Sequence, residues 1–384
     1  MVPCVRPVQA GRGDGPQSAS SPRRTPCRPV PGAVALDHRG ADQLGSDHFG
    51  RWQVRSGLPL GPGSIGIGLT SSAGPAEDAV RRLRREAYAA ADCGFDGVTL
   101  SEHHGGFPGY FPNPILLCGL LLADMRHGWA AASPSILPLR NPYSVAEDLA
   151  WIGAAYPGRV AAGFVPGYQE RDFDAVGADF ETRSATFWSH LSTLTGVLRP
   201  TDVPHPVLSA DAAIADARVR DLTVLVGVAG PLGARRAANA DVGLLLMSLD
   251  SAAATAALIG HYEEAGGNRS CVLIRRVWVG DSATADRRHD LWSQASSGRE
   301  KWLTTSPNSV ISGEPGAVAT TLVDDLRTSG ASALNIRVNV DKANPADVLR
   351  QIELIGAEVL PRVRSSMGWQ VPEPSTALTR GIQS

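Results

Sequence analysis

From Ser64 onward the chain alternates two kinds of segment. Short runs of continuous apolar, β-branched character occur at Ile65–Leu69, Gly97–Leu100, Trp129–Leu137, Val160–Val165, Thr223–Ala229, Gly243–Met247, Cys271–Val279 and Ala333–Val338. Between them lie segments of helical period, at about 75–93, 113–126, 142–156, 183–197, 231–239, 251–265, 283–303 and 315–329, with a last one at about 345–364. Strands that are apolar throughout, rather than at alternate positions, suit a parallel sheet buried on both faces. Pro75 opens the first helix, with Glu77 and Asp78 in its first turn, and Gly94 stands where a left-handed residue would end it. Eight strand–helix units predict an α/β fold of the (β/α)8 TIM-barrel type. The competing arrangement is a doubly wound sheet with a second domain. No Gly-rich dinucleotide fingerprint follows the first strand, which favours the barrel. In a barrel the chemistry sits at the C-terminal ends of the strands.

Composition divides the 384 residues unevenly. Residues 1–56 hold seven Pro, seven Gly and eight Arg, and carry a net charge of +4, so the remainder carries −6 within a total of −2. This stretch has no sustained apolar periodicity and cannot offset the entropy of ordering. It reads as a disordered basic Pro/Gly/Arg-rich tail; a translated upstream stretch without function and a basic docking arm are the alternatives. Residues 57–366 form the barrel and 367–384 a flexible C-terminal tail. A near-neutral chain excludes an electrostatic nucleic-acid binder. Cysteines at 4, 27, 93, 118 and 271 form no CxxC pair, which excludes a zinc ribbon or a disulfide scaffold. No apolar run approaches the roughly 20 residues that span a bilayer. No apolar core follows the tail's arginines as a secretory signal requires. A soluble, cytoplasmic protein is expected.

The strand ends carry the chemistry. The second strand runs into Glu102-His103-His104. Imidazole titrates near neutrality and serves as acid, base or ligand, though a polar loop start is the equal alternative. Adjacent histidines diverge, and no distant ligand set accompanies them, so no metal site is expected. A metal-dependent hydrolase built on Glu102 and the histidines is the least favoured reading. Within the third strand Pro134 cannot donate to a ladder, and a cis Ser133–Pro134 bond would explain its place. After the fourth strand come Tyr168 and, at a helix start, Arg183, a bidentate phosphate donor or a solvated cation. The fifth strand leads into a turn containing Gly230 and Gly233 at a helix N-terminus, which presents bare N–H groups to an anion or serves a tight turn. Phe107, Tyr110, Phe111, Tyr168 and Trp278 are candidates to face a pocket.

In combination these features resemble the bacterial luciferase-like family of flavin-dependent monooxygenases, over about residues 64–364. The stretches SEHHGGFPGYFPNP, ILPLRNPYSVAEDLAWI, GRVAAGFVPGYQERDFDAVGADFETR and GEPGAVATTLVDDLRTSGASALNI carry the resemblance. It implies a barrel that binds FMN as FMNH2, with O2 forming a hydroperoxide at flavin C4a that oxygenates a small organic substrate; the aromatic pocket candidates suggest an apolar or aromatic one. His103 matches the family's catalytic histidine, with Glu102 or His104 orienting it. Arg183 matches the phosphate-binding arginine, and Ser133–Pro134 stands where the family has a cis peptide under the flavin. Implied partners are a separate flavin reductase and a second subunit in a homodimer. An F420-dependent oxidoreductase and a catalytically silent flavin-binding homologue are the alternatives. Residues 281–312, with Gly298 and Gly313 as hinges, would form a lid. Gly230 and Gly233 replace the Ser or Thr of many members. Val165 and Pro166 replace the Cys and Arg of luciferase, so the resemblance does not extend to light emission from a long-chain aldehyde.

Overall fold

The computed structural model describes residues 57–71, 74–107, 109–200, 205–281, 310–338 and 345–370. The expected tail at 1–56, the expected helix at 283–303 with Gly298, and most of the C-terminal stretch lie outside the described residues. Each of the eight apolar runs forms a strand: β1 (Ile65–Leu69), β2 (Gly97–Leu100), β3 (Trp129–Ile136), β4 (Val160–Val165), β5 (Thr223–Gly227), β6 (Gly243–Leu246), β7 (Cys271–Val279) and β9 (Ala333–Arg337). All pair in parallel in the order β6-β5-β4-β3-β2-β1-β9-β7, and β6 also pairs with β7, so the sheet closes. The fold is a (β/α)8 TIM barrel. A short β8 (Ile311–Gly313) pairs only with the end of β7, opposite Val277–Val279.

Helices α1 (Ala76–Asp92), α2 (Pro114–Asp124), α3 (Pro142–Ala155), α5 (Arg183–Leu198), α7 (Pro231–Asn239), α8 (Ala252–Glu264), α9 (Pro315–Ser329) and α10 (Pro345–Leu354) follow the helical periods. Two further helices are absent from the pattern. The five-residue α4 (Glu170–Asp174) is too short to show a period. The alanine-rich α6 (Ala212–Arg220) has little amphipathic contrast; Asp211 caps it by accepting from the Ala213 and Ile214 amides. The last helix among the described residues is α11 (Leu360–Met367), and ordered contacts continue past 366, since the Trp369 amide donates to the Arg364 carbonyl.

Side chains alternate across a strand, and that period builds the barrel's interior. Trp129, Ala131, Ala161, Leu225, Leu245, Val272, Ile274 and Ala333 form an inner cluster, joined by Leu60 from the turn before β1. The Trp129 indole fits because Gly66 and Gly97 face it: a Cβ at either would overlap the ring. One layer up, Asn335 Nδ2 donates to Thr99 Oγ1 at 2.9 Å, a satisfied polar pair inside the barrel. The outward-facing strand residues pack with the helices as a second, larger core.

A buried ion pair ties the first and last units. Asp96 Oδ2 accepts from the Ile65 amide at 2.6 Å and from Arg364 Nη2 at 2.8 Å. Arg364 also donates to the Gly63, Gly94 and Gln370 carbonyls. Removing one member of a buried pair strands the other's charge. Arg364→Met is therefore expected to cost about 3–5 kcal/mol in urea denaturation; a loss below about 1 kcal/mol would remove this role. Burial also pushes the Cys118 thiol up and the Cys271 thiol up to about 12. Both are expected to resist iodoacetamide at pH 8 in the native protein, because the thiolate is the nucleophile, and to react on unfolding. Peptide mapping by mass spectrometry checks this.

Candidate active site

A cavity of about 160 Å³ opens at the C-terminal ends of the strands. Polar groups from β2, β4, β7 and β9 converge on it: Glu102, His103, Tyr168, Arg276 and Arg337 line it beside Pro134, Ile136, Val165, Leu245 and Ile274. The loop after β2 folds back so that the Phe111 amide donates to the Ser101 carbonyl at 3.1 Å and the His103 amide to the Phe111 carbonyl at 3.3 Å. Gly105 and Gly106 take φ of +61° and +71°, a left-handed turn that side chains rarely adopt.

His103 is 5% exposed. Its ring stacks on Phe107 at 4.4 Å and meets Tyr110 and Tyr168 edge-on at 4.5 and 5.2 Å. Nδ1 lies 2.6 Å from Asp172 Oδ2, and Nε2 lies 3.1 Å from the Tyr168 hydroxyl. Asp172 is fully buried in the first turn of α4, and its other oxygen accepts from the His104 amide at 2.8 Å. The carboxylate assigns the proton to Nδ1 and leaves Nε2 as the working nitrogen toward Tyr168 and the cavity.

The expectation that Glu102 or His104 orients His103 is therefore corrected: that partner is Asp172. Glu102 is committed elsewhere. Its Oε1 accepts from Arg140 Nη2 at 2.7 Å and lies 3.0 Å from His104 Nε2, while Oε2 accepts from the Ile136 amide at 3.0 Å. Glu102 thus bolts the end of β2 to the end of β3. Nothing in the periodicity pointed to Asp172. The signal available was an acid in the first turn of the segment after β4, where a barrel collects its chemistry.

Ser133–Pro134 is cis, and the β3–β4 register shifts across it. Ser133 is buried against Gly163, where a Cβ would overlap its hydroxyl. Pro134 lines the cavity. Of the aromatic candidates, Tyr110 and Tyr168 line it, whereas Phe107, Phe111 and Trp278 do not.

A second cavity, of about 320 Å³, shares Gly227 with the first as a lining residue. The turn from Gly227 to Gly233 forms one wall, and Pro166, Ser184, Trp188 and Arg236 line the rest. Gly230 and Gly233 are placed together here. A Cβ on Gly233 would press Val228, and the amides of Leu232 and Gly233 begin α7, whose N-terminus favours an anion. Arg183 lines neither cavity. Its guanidinium sits 3.8 Å from the Phe180 ring centroid and donates to the Phe180 carbonyl at 2.8 Å. The adjacent Ser184 takes the place expected of it, and Arg236, 5.7 Å from the Trp188 ring centroid, supplies the cation.

Arg276 and Arg337 also escaped the sequence reading. Burial pushes the Arg276 guanidinium down to about 10; Tyr110 and Tyr168 oppose this and the Arg337 charge adds to it.

A closed parallel barrel with a buried histidine–carboxylate pair at its mouth is the framework of a barrel enzyme. The chain belongs to the luciferase-like monooxygenase family, whose model matches residues 63–356. Among curated proteins it is similar to the N-acetyl-S-alkylcysteine monooxygenase of Bacillus subtilis, with 29% identity over 137 residues, 35% of this chain and 40% of that protein. The first curated relatives are matched over about a third of their length, 33% and 29%. Among solved structures, monooxygenase RslO1 from Streptomyces bottropensis superposes with a TM-score of 0.67 at 20% identity, covering 78% of this chain and 99% of that one. The oxygenating constituent of 3,6-diketocamphane monooxygenase from Pseudomonas putida, a type II Baeyer-Villiger monooxygenase in complex with FMN, gives 0.62 at 16% identity, covering 81% and 99%.

If Asp172 sets the tautomer, Asp172→Ala moves the His103 ring proton toward Nε2. Imidazole 15N shifts of the two proteins read this directly; an unchanged pattern would remove the assignment.

Proposed function

We propose that this protein is a monooxygenase that uses reduced FMN and O2 to oxygenate a small organic substrate at the barrel mouth. The observation that carries the reading is the pair of cavities that share Gly227 in their linings, the first also lined by His103, in a chain of this family. Their linings fit the group. The first offers apolar walls and Pro134 to a flat ring system. The second offers a phosphate the Leu232 and Gly233 amides, Ser184 and Arg236. Reduced FMN, supplied by a separate flavin reductase, brings the electrons that activate O2. The chain's own residues do the rest. Asp172 keeps the proton on His103 Nδ1, so Nε2 exchanges a proton through the Tyr168 hydroxyl as general base and then general acid. Leu245, Val165, Ile136 and Ile274 keep bulk water from the reacting centre.

Anaerobic titration with FMNH2 and with F420 tests the cofactor. Saturable FMNH2 binding is expected; binding of F420 alone would replace monooxygenation by hydride transfer. Arg236→Ala is expected to weaken FMN at least about tenfold and riboflavin less than about twofold. The same comparison on Arg183→Ala shows whether that side chain leaves Phe180 for the phosphate. His103→Ala is expected to lower coupled oxygenation about 10²–10⁴-fold with FMN affinity kept.

A further inference from the structure

The chain leaving β6 lines the first cavity with five consecutive residues, Leu245 to Leu249. Leu245, Leu246 and Leu249 are buried, and Met247 and Ser248 between them are half-buried. Among the described residues, Met247 is the sulfur in this lining. Cys93 follows α1, Cys118 lies within α2 and Met125 just after it, Cys271 starts β7 at the far end of the barrel, and Met367 closes α11. Residues 282–309 and 339–344, which follow β7 and β9, contain neither Met nor Cys. A thioether accepts an oxygen atom through a sulfur lone pair and, unlike a thiol, needs no deprotonation first. The aliphatic side chains of Ile136, Val165, Leu245 and Ile274 beside it have no lone pair to offer.

We propose that Met247 is a modification site: it takes oxygen from hydrogen peroxide released in this cavity, and its sulfoxide closes the cavity to apolar ligands. The source of the peroxide rests on the reading of the cavity as the mouth of a flavin-dependent oxygenase, where electrons of the reduced flavin pass to O2 without reaching a substrate. The sulfur lone pair attacks one peroxide oxygen, so that an S–O bond forms and the O–O bond breaks. The proton of the transferred oxygen moves to the leaving oxygen, which departs as water. Sulfur is oxidised by two electrons and the peroxide is reduced by two. The product is polar and chiral where the thioether was apolar and flexible, and sulfoxide reductases reverse it. It stands in a wall built with Leu245, Leu246 and Leu249, where an apolar ligand would meet a polar group.

Treatment of the flavin-free full chain with hydrogen peroxide tests it, with peptide mapping by mass spectrometry and calorimetric titration of indole before and after. An apolar cavity of roughly 150 Å³ admits benzene, so indole suits this one of about 160 Å³. One added oxygen is expected at Met247, with Met125, 1% exposed, left unmodified. Indole affinity of the oxidised wild type is expected to fall at least about tenfold, whereas Met247→Leu keeps its own affinity through the same treatment within about twofold. Three results overturn the proposal: Met247 unmodified where the half-buried Met367 is oxidised, equal loss of indole affinity in Met247→Leu, or no indole binding before treatment. Reoxidation of FMNH2 by O2 with catalase in the solution tests the source, since catalase removes peroxide that escapes. Oxygen at Met247 and not at Met367 is expected. FMNH2 that binds and reoxidises without marking Met247 overturns the proposed source. A chain that takes peroxide oxygen at Met247 but binds no FMNH2 supports the modification site and overturns the flavin reading instead.

Discussion

Closure of the parallel ladder is the constraint on which everything else depends. Because β9 pairs with both β1 and β7, and β6 with β7, the sheet has no free edge in the barrel. Because every strand runs the same way, every strand end delivers its residues to one mouth. That is how Ser101 and Arg337, 236 positions apart, come within hydrogen-bonding distance. Closure leaves a narrow interior, which this chain fills with a tryptophan against two glycines. Larger residues at 66 or 97 would not coexist with Trp129. The Asp96–Arg364 pair then fastens the last helix to the loops around the first two strands, so the start and end of the ring are held by charge as well as by the ladder.

The site uses that rigidity asymmetrically. Buried carboxylates do the positioning. Asp172 holds one imidazole nitrogen and the next backbone amide, and Glu102 holds Arg140, His104 and a strand amide. Each is bonded through both of its oxygens, as a buried charge must be if its desolvation is to be offset. His103 is thereby fixed through its ring and its neighbour's backbone, while Nε2 faces the Tyr168 hydroxyl and the cavity.

What could be read from the sequence follows from the range of the interactions concerned. Continuous apolar runs report burial on both faces, so the eight strands and their closure were legible. Strand-end position alone pointed to His103, Pro134, Tyr168 and the Gly230–Gly233 turn, because the barrel rule is topological. Which way a side chain turns is a different matter. Arg275 and Arg276 are identical neighbours, and only Asp325 on the opposite side of the sheet distinguishes the outward one. Glu102 seemed free to orient His103 until Arg140 and the Ile136 amide, 38 and 34 positions away, engaged it. Arg183 opens the helix that lines the second cavity, but a contact with Phe180, three residues before it, holds it away from the space that Ser184 reaches.

The side of the mouth that carries His103 and the side that carries Arg337 are also not independent. The Ser101 hydroxyl accepts from Arg337 and donates to the Ser133 carbonyl at 3.2 Å. Ser101 is two residues before His103, and Ser133 lies in the cis bond with Pro134. One hydroxyl therefore joins β9, the loop that carries His103 and the floor of the cavity. The position of Arg337 is thus tied to the same loop that sets the imidazole. The relation between the β9 end and the imidazole is thus fixed by the barrel's register, because Gly68 pairs with both Thr99 of β2 and Arg337 of β9.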